Sequence, residues 1–314
     1  MFEKVLITTD FSPYAHKILE CIGEVPELKE VVLLNVVTRE LRDYAWDPRD
    51  ESKIAEKKLA EEAKSFTRPG VNVKLRVTST LEGDIPVAIQ KIADQEKVQL
   101  VIMGARGNSL IRSMSLGSVA KDVLRFGDTN LLIMRYNMPD GFGPTGLKKF
   151  LVSHGALDKP IEPQELEKFC ATPFAKVLIP TDFSQPSEAV ISFIKGMKNI
   201  GEILLLHVIS EGETQEAIDT SATAAFDRLY GIIQDLAKVG LKATPLVSVG
   251  DIVEQICSTA YVENVSLIVM SSIGNDALER GRMGKIGIRT YDVANSADRP
   301  VLMLRMKPVF EIPA

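Results

Sequence analysis

The sequence predicts an α/β fold built on a parallel sheet, and it predicts that fold twice along one chain. Short apolar segments alternate with longer segments whose apolar residues recur at helical spacing, an arrangement typical of parallel strands joined by helices. A nonapeptide, KVLITTDFS at residues 4–12, returns as KVLIPTDFS at residues 176–184. A glycine-punctuated loop also follows the apolar strand at residues 100–103, which predicts a binding loop at one edge of the sheet.

The first half opens with a buried strand that ends in the polar residues of the nonapeptide. Ser12 and Pro13 then predict a helix start, with serine as the N-cap and proline at the first helical position. Val31 to Val37 is almost uniformly apolar, as in a strand buried on both faces. The remaining predicted elements are a helix over Arg49 to Phe66 with Ile54, Leu59, Ala63 and Phe66 on its apolar face, a strand over Val71 to Val77, a helix over Ile85 to Ala93, a strand over Leu100 to Met103, a helix after the glycine loop with Val119, Ala120, Val123 and Leu124 on its apolar face, and a last strand over Leu131 to Met134.

The second half repeats these features at matching intervals. Asp10 precedes Asn35 by the same 25 residues that separate Asp182 from His207, and the Gly-Asp-Ile turn at 83–85 returns at 250–252. A tandem duplication is the economical explanation. We therefore predict domains over 1–136 and 173–306, a linker rich in proline and glycine over 137–172, and a tail over 307–314.

The glycine loop has the spacing Gly104-x2-Gly107-x9-Gly117, with Ser118 directly after the last glycine. A loop between a parallel strand and a helix presents free backbone N–H groups at the positive end of the helix dipole. Glycines let such a backbone approach a ligand closely, so the loop predicts a phosphate site. The pattern is neither the Walker motif nor the dinucleotide fingerprint. The alternative is that the glycines only make turns and that Ser118 only caps the helix.

Together, the two nonapeptides and the G-x2-G-x9-G-S loop resemble the universal stress protein family, specifically its tandem members with two fused domains. The resemblance implies, for each domain, a doubly wound five-stranded parallel sheet of order 3-2-1-4-5 with the adenine nucleotide alpha hydrolase-like fold. It also implies binding of ATP or AMP, with or without Mg²⁺, at the carboxyl edge of the sheet. Members commonly dimerise through the last strand, so we expect intramolecular pairing of the two domains, or a homodimer.

On this basis the phosphates are expected at the backbone N–H groups around Gly104, Gly107, Gly117 and Ser118, with the Ser118 hydroxyl as an added donor. Arg106 flanks the loop and is a candidate for neutralising phosphate charge. Arg112 is a second such candidate, although a solvated loop charge is the favoured interpretation for it.

The adenosine half of the nucleotide is expected at the end of the first strand. There Asp10 is expected to accept a hydrogen bond from ribose or adenine, or to help hold Mg²⁺ through water; the alternative is an extra cap on the following helix. Thr9 and the backbone of Val36 and Val37 are further candidates for the base pocket.

The corresponding loop of the second half departs from the pattern, because Ser271 replaces the first glycine. Continuing from Gly274 at the motif's spacing places the last glycine at Gly284, followed by Lys285; counting back from the last strand favours Gly287, followed by Ile288. Either alignment loses a glycine and the hydroxyl. We expect this half to bind nucleotide weakly or not at all and to serve as partner to the first, although Arg280, Arg282 and Lys285 offer compensating charge.

Composition excludes several classes of function. The net charge is −5, with 37 basic and 42 acidic residues interspersed, which argues against a nucleic-acid partner. Cys21, Cys170 and Cys257 form no CxxC pair and predict buried thiols in a reducing compartment, with neither a disulfide frame nor a metal site. We expect no membrane partner and a cytoplasmic location, because the chain shows no signal peptide and no bilayer-spanning apolar run. The three histidines, among which His207 is expected to pack at a strand end, form no catalytic or metal-ligating pattern.

These features predict a stress-response sensor or regulator that binds adenine nucleotide in its first domain and acts on an unknown regulatory protein partner. The alternative is an enzyme, a slow ATPase or nucleotide hydrolase that uses the same loop. Against it, the sequence offers no positioned base beyond Asp10 and no lysine–hydroxyl pair of the P-loop kind. A structural or interaction module without nucleotide fits the second half better than the first.

Overall fold

The computed structural model describes residues 2–22, 25–39, 48–66, 68–106, 115–135, 173–210, 214–274 and 285–305. The predicted linker and tail lie outside the described residues. The strands are β1 Lys4–Thr8, β2 Glu30–Arg39, β3 Asn72–Leu81, β4 Leu100–Gly104, β5 Asn130–Met134, β6 Lys176–Pro180, β7 Glu202–Ile209, β8 Lys242–Val249, β9 Leu267–Ser271 and β10 Val301–Leu304. The helices are α1 Pro13–Ile22, α2 Pro48–Ala63, α3 Ile85–Glu96, α4 Ser118–Phe126, α5 Gln185–Lys195, α6 Gln215–Lys238, α7 Ile252–Val262 and α8 Ile288–Ser296, with a short 3₁₀ turn over Glu82–Asp84.

The strands form one ten-stranded sheet with the order β3-β2-β1-β4-β5-β10-β9-β6-β7-β8. Within each half all neighbouring strands are parallel and follow the order 3-2-1-4-5, so the predicted topology is confirmed twice. The two last strands, β5 and β10, pair antiparallel with Leu132 opposite Leu302. The halves are therefore related by a pseudo-two-fold axis at this pair, and each covers an edge that would otherwise expose unpaired backbone groups.

Helices pack on both faces of the sheet because each carries one apolar stripe. On one face, Ile18 and Ile22 of α1 and Leu59 of α2 are fully buried against alternate residues of β1. On the opposite face, Ala120 and Leu124 of α4 are buried in the same cluster as Leu6 of β1. Both core clusters include residues of both halves, so the apolar core is continuous across the β5–β10 pair.

Two sequence predictions about α2 are wrong in detail. The helix ends at Ala63 rather than at Phe66, because the next three N–H groups bond to carbonyls only three residues back and tighten the final turn. Ile54, expected on the apolar face, is 55% exposed, whereas Ala55 and Leu59 are buried. The rest of the predicted stripe is confirmed, because Leu59 is fully buried and Ala63 and Phe66 pack against the same core.

The cysteines are not all free thiols. Cys21 is disulfide-bonded, so the expectation of a free thiol there is wrong; sequence spacing does not report which cysteines approach in space. Cys257 is free and buried, as predicted, and burial raises the pKa of its thiol to about 12. Within the described residues, no helix is both long and apolar enough to cross a bilayer.

Candidate functional site

The neighbouring strands β1 and β4 define the site of the N-terminal half. They run parallel, so both end at the same edge of the sheet. From that edge the chain enters α1 on one face after β1, and α4 on the opposite face after β4. Connections that leave to opposite faces open a crevice between the two strands, the usual ligand position in open α/β sheets.

The loop between β4 and α4 returns to the point from which it departs. Ala105 donates its N–H to the carbonyl of Met134 at 2.9 Å, and its own carbonyl accepts the N–H of Gly117, also at 2.9 Å. The Arg106 guanidinium donates to the carbonyl of Ser115. Both ends of the loop are thus fixed to the end of β4, while residues 107–114, including the predicted Gly107 and Arg112, lie outside the described residues.

The N-terminus of α4 presents unbonded backbone donors at this edge. Gly117 is the N-cap, and the first intrahelical bond runs from the N–H of Lys121 to the Gly117 carbonyl at 2.9 Å. The N–H groups of residues 118–120 precede that bond and have no partner within the helix. Ser118 is exposed and is the first helical residue, so the alternative that it caps α4 is wrong.

The fold itself does not demand glycine at position 117. Its backbone angles, φ −65° and ψ 162°, suit any residue, and an added Cβ would meet its nearest atom at 3.6 Å, an ordinary contact. Gly127, at the other end of α4, differs, because a Cβ there would lie 2.6 Å from the Val123 carbonyl oxygen. The missing side chain at Gly117 therefore leaves space beside the free N–H groups.

At the end of β1, Asp10 forms a short turn that leads into α1. Its Oδ1 accepts the N–H of Ser12 at 3.1 Å, and the Ser12 hydroxyl accepts the N–H of Ala15 at 3.1 Å. Ser12 is therefore the cap, as predicted, and Asp10 orients it. Between them Phe11 has a left-handed backbone with φ 61°, which turns the chain toward α1.

Thr9 is buried and its side chain is already engaged. Its hydroxyl donates to Glu62 Oε1 at 2.9 Å and accepts the N–H of Phe11 at 3.0 Å, while its carbonyl accepts the Asn35 amide at 2.9 Å. Val37, buried in β2, lies three residues beyond Leu34, which pairs with Thr8. All described candidate residues of the N-terminal half thus lie at the carboxyl edge of β1, β2 and β4.

Glu62 is the residue of this region that sequence reasoning missed. It is 7% exposed, and its Oε2 has no hydrogen-bond partner among the described residues. Burial raises the pKa of its carboxyl; the Thr9 hydroxyl and His16 oppose the shift, and Asp10 adds to it. The available signal was an acidic residue three positions after the buried Leu59, on the apolar face of α2.

The C-terminal half repeats the hydrogen bonds that fix the two ends of the loop, but not the residues that follow them. The N–H of Ser272 donates to the carbonyl of Leu304 in β10 at 2.9 Å. The N–H of Gly287 donates to the Ser272 carbonyl at 2.7 Å, as the N–H of Gly117 does to the Ala105 carbonyl. Gly287 is therefore the counterpart of Gly117, and the alignment counted from the last strand is confirmed. In place of Ser118 stands Ile288, whose side chain is 69% exposed.

The structure decides two further predictions about the C-terminal half, those for Lys285 and His207. The ammonium of Lys285 bonds to the Phe126 carbonyl at 2.9 Å and to Asp128 at 2.7 Å, so it engages the N-terminal half and does not compensate for the lost glycine. Arg280 and Arg282 lie outside the described residues. The ring of His207 donates to the Thr181 carbonyl at 2.9 Å and stacks on Phe183 at 4.5 Å, which confirms a packing role at the strand end.

Comparison with known proteins gives consistent matches. The model of the universal stress protein family matches residues 1–135 and 173–305. The universal stress protein MJ0577 of Methanocaldococcus jannaschii is 28% identical over 159 residues, which are 43% of this chain and 96% of that protein. The crystal structure of a universal stress protein from Archaeoglobus fulgidus has a TM-score of 0.65 at 21% identity and covers 97% of this chain and 99% of its own. A structure from Pseudomonas aeruginosa UCBPP-PA14 has a TM-score of 0.56 at 16% identity and covers 96% of this chain and 93% of its own.

Proposed function

Because the chain belongs to the universal stress protein family, we propose that its N-terminal half binds an adenine nucleotide, ATP or AMP, in the crevice between β1 and β4. The observation that carries this proposal is the start of α4, where free N–H groups adjoin a glycine that the fold does not require. The nucleotide serves as a signal, and the protein acts as a stress-response sensor or regulator.

The phosphates are assigned to the N-terminus of α4. The N–H of Gly117 is bonded to Ala105, so the donors are the N–H groups of residues 118–120 and the exposed Ser118 hydroxyl. Hydrogen bonds to a charged acceptor contribute about 1.5–3 kcal/mol each. Three of them, with burial of the base, reach the roughly 8 kcal/mol of a micromolar site. Arg106 adds positive charge beside the loop, and Gly104 and Gly107 keep side chains out of it.

The nucleoside is assigned to the end of β1. The Asp10 carboxylate accepts a hydrogen bond from ribose or adenine, or holds Mg²⁺ through water, and Val37 contributes to the wall of the base pocket. Thr9 supports the site indirectly. Its hydroxyl bonds to Glu62 and its carbonyl to Asn35, and these bonds fix the backbone that carries Asp10.

The C-terminal half is assigned no tight nucleotide site. Asp182, the counterpart of Asp10, lies so close to the β9 loop that a Cβ on Gly274 would be 3.0 Å from its Oδ2. The Asp182 carboxylate therefore occupies the space directly beside Gly274. Ile288 also places an apolar side chain where Ser118 offers a hydroxyl.

The test is titration calorimetry with ATP and AMP, each with and without Mg²⁺, on the wild type, Gly117→Val and Gly287→Val. The two glycines share backbone angles and surroundings, so the second variant is a matched control. We expect one site per chain, lost in Gly117→Val and kept in Gly287→Val. Two sites, or loss in the control alone, would contradict the assignment to the N-terminal half, and no binding by the wild type would contradict the proposal. Phosphate release in the same samples would favour the slow ATPase over the sensor.

A further inference from the structure

We propose that Asn295, which belongs to the C-terminal half, positions the nucleotide loop of the N-terminal half. Its side-chain oxygen Oδ1 accepts the backbone N–H of Leu116 at 3.2 Å, across 179 residues of sequence. Leu116 immediately precedes Gly117, the residue that caps α4. The inference rests on the proposed function, because it assigns to Asn295 a supporting role in that nucleotide site.

The contact completes the fixation of three consecutive loop residues. The carbonyl of Ser115 is held by Arg106, the N–H of Leu116 by Asn295, and the N–H of Gly117 by the Ala105 carbonyl. Two of these three bonds come from the N-terminal half, and the middle one comes from the C-terminal half. Without Asn295 the N–H of the buried Leu116 would lose this partner, which favours a change in the loop backbone.

The pseudo-two-fold axis supplies an internal comparison. The residue of α4 that corresponds to Asn295 in α8 is Arg125, and the residue that corresponds to Leu116 is Ile286. A guanidinium has no acceptor, so Arg125 cannot take an N–H as Asn295 does. It lies instead over the ring of Tyr291 at 4.6 Å. Among the described residues of the two loops, an acceptor from the opposite half reaches the one that keeps the glycine pattern.

The turn that carries Asn295 is itself anchored to the N-terminal half. Arg135, which directly follows β5, is 6% exposed and donates to the carbonyl of Ala294, the residue before Asn295. This bond satisfies a carbonyl at the C-terminal end of α8, where a cation is also favoured by the helix dipole. Asn295 is therefore held at a defined place relative to the loop. The C-terminal half, whose own loop has lost the glycine pattern, thus supplies a supporting residue to the loop of the N-terminal half.

The test uses the full chain and two readouts. In nucleotide-free protein, the exchange rate of the Leu116 amide measured by NMR should rise about tenfold in Asn295→Leu, which removes the acceptor at similar volume, and stay near the wild-type rate in Asn295→Asp, which keeps it. The ATP dissociation constant should rise about three- to tenfold in Asn295→Leu, the loss expected for one hydrogen bond. Arg125→Leu, at the pseudo-symmetric position, should stay within about twofold of the wild type on the same scale.

The outcomes separate the two claims. Unchanged ATP affinity or unchanged Leu116 exchange in Asn295→Leu, with normal ATP binding by the wild type, would overturn the role of Asn295 and leave the proposed function standing. Equal weakening in Arg125→Leu and Asn295→Leu would also overturn it, because a general effect of the interface would then suffice. If the wild type binds no ATP, the proposed function is overturned and the nucleotide role of Asn295 with it.

Discussion

At the scale of single residues, two buried glutamates of the N-terminal half have opposite electrostatic surroundings. Glu96 contacts the cations of Lys4, Lys74 and Arg76 at 2.8–3.3 Å, and the bond from Lys74 in particular lowers the pKa of its carboxyl. Glu62 has no cation bonded to it among the described contacts, and burial raises its pKa. Glu96 therefore binds protons less readily in the folded state than in the unfolded chain, and Glu62 more readily.

Glu62→Gln should change how stability depends on pH. The native state holds the Glu62 proton above the ordinary value of 4.5, so the stability from this residue is present at acid pH and is lost as the pH rises through the folded pKa. Glutamine keeps an acceptor for Thr9 and stays neutral. We expect the melting temperature of the variant, relative to that of the wild type, to increase as the pH rises from 5 to 8. Thermal unfolding followed by circular dichroism measures this difference. Parallel curves for the two proteins across this range would contradict the raised pKa.

Residue-scale predictability from sequence was uneven. The cap at Ser12 could be predicted because it depends only on local chain geometry. Glu62 and the disulfide of Cys21 could not, because each depends on an approach between segments distant in sequence. Thr9 was a candidate for the base pocket, and its bond to Glu62, 53 residues away, is visible only in three dimensions.

At the scale of elements, α4 has a glycine at each end, and the two are present for different reasons. Gly117 begins the helix with an ordinary backbone and room for a side chain. Gly127 ends it by donating its N–H to the Val123 carbonyl at 2.9 Å, and that carbonyl occupies the space a Cβ would need. The fold thus fixes the glycine at 127, whereas the proposed ligand accounts for the glycine at 117.

Alanine substitution should separate these two glycines. Gly127→Ala forces the backbone at the end of α4 to shift, and we expect it to lower the free energy of unfolding by about 2 kcal/mol or more. Gly117→Ala replaces an N-cap glycine by a poorer cap and should cost less than about 1 kcal/mol. Urea unfolding of both variants measures the difference. Equal losses would show that Gly117 is also required by the fold.

Strands were easier to predict than helix ends or loop equivalences. The apolar run Val31–Val37 predicted a strand covered on both faces, and it lies within β2. The true last residue of α2 and the exposure of Ile54 depend on how the helix packs, and the local pattern does not determine this. In the second loop the sequence allowed either Gly284 or Gly287 to be the counterpart of Gly117. The hydrogen bond from Gly287 to Ser272 identifies Gly287 as that counterpart.

At the scale of the whole molecule, two arginines reinforce the pairing of the halves. Arg135 follows β5 and reaches the end of α8, and its counterpart Arg305 follows β10 and reaches the end of α4. Arg305 donates to the carbonyls of Leu124 at 2.5 Å and Lys285 at 2.7 Å. Burial lowers its pKa to about 10, with Asp128 opposing the shift, so it remains charged at neutral pH.

Arg305→Met should weaken the junction between the halves. Methionine retains much of the apolar volume but leaves two carbonyls without their donor, which should cost about 1–3 kcal/mol in the free energy of unfolding. Urea unfolding of the variant beside Arg135→Met, its pseudo-symmetric counterpart, measures the effect. Unchanged midpoints for both would show that the β5–β10 pair and the core hold the halves together without the arginines.

Sequence repetition made the duplicated architecture predictable, and the resemblance of its motifs supplied the strand order. The contacts that make the halves unequal were not predictable. Lys285 looked like a substitute phosphate ligand and instead bonds to the N-terminal half, and Asn295 carries no motif at all. Both contacts arise from the antiparallel pairing of β5 and β10, which brings the end of α4 to the start of α8 and the end of α8 to the start of α4.

A crystal structure of the full chain grown with saturating ATP and Mg²⁺ would show directly whether nucleotide binds between β1 and β4. We predict one nucleotide per chain between β1 and β4, with phosphate oxygens within hydrogen-bond distance of the N–H groups of residues 118–120 and the nucleoside beside Asp10. A nucleotide bound only between β6 and β9, or no nucleotide between β1 and β4 at saturation, would contradict the proposed site.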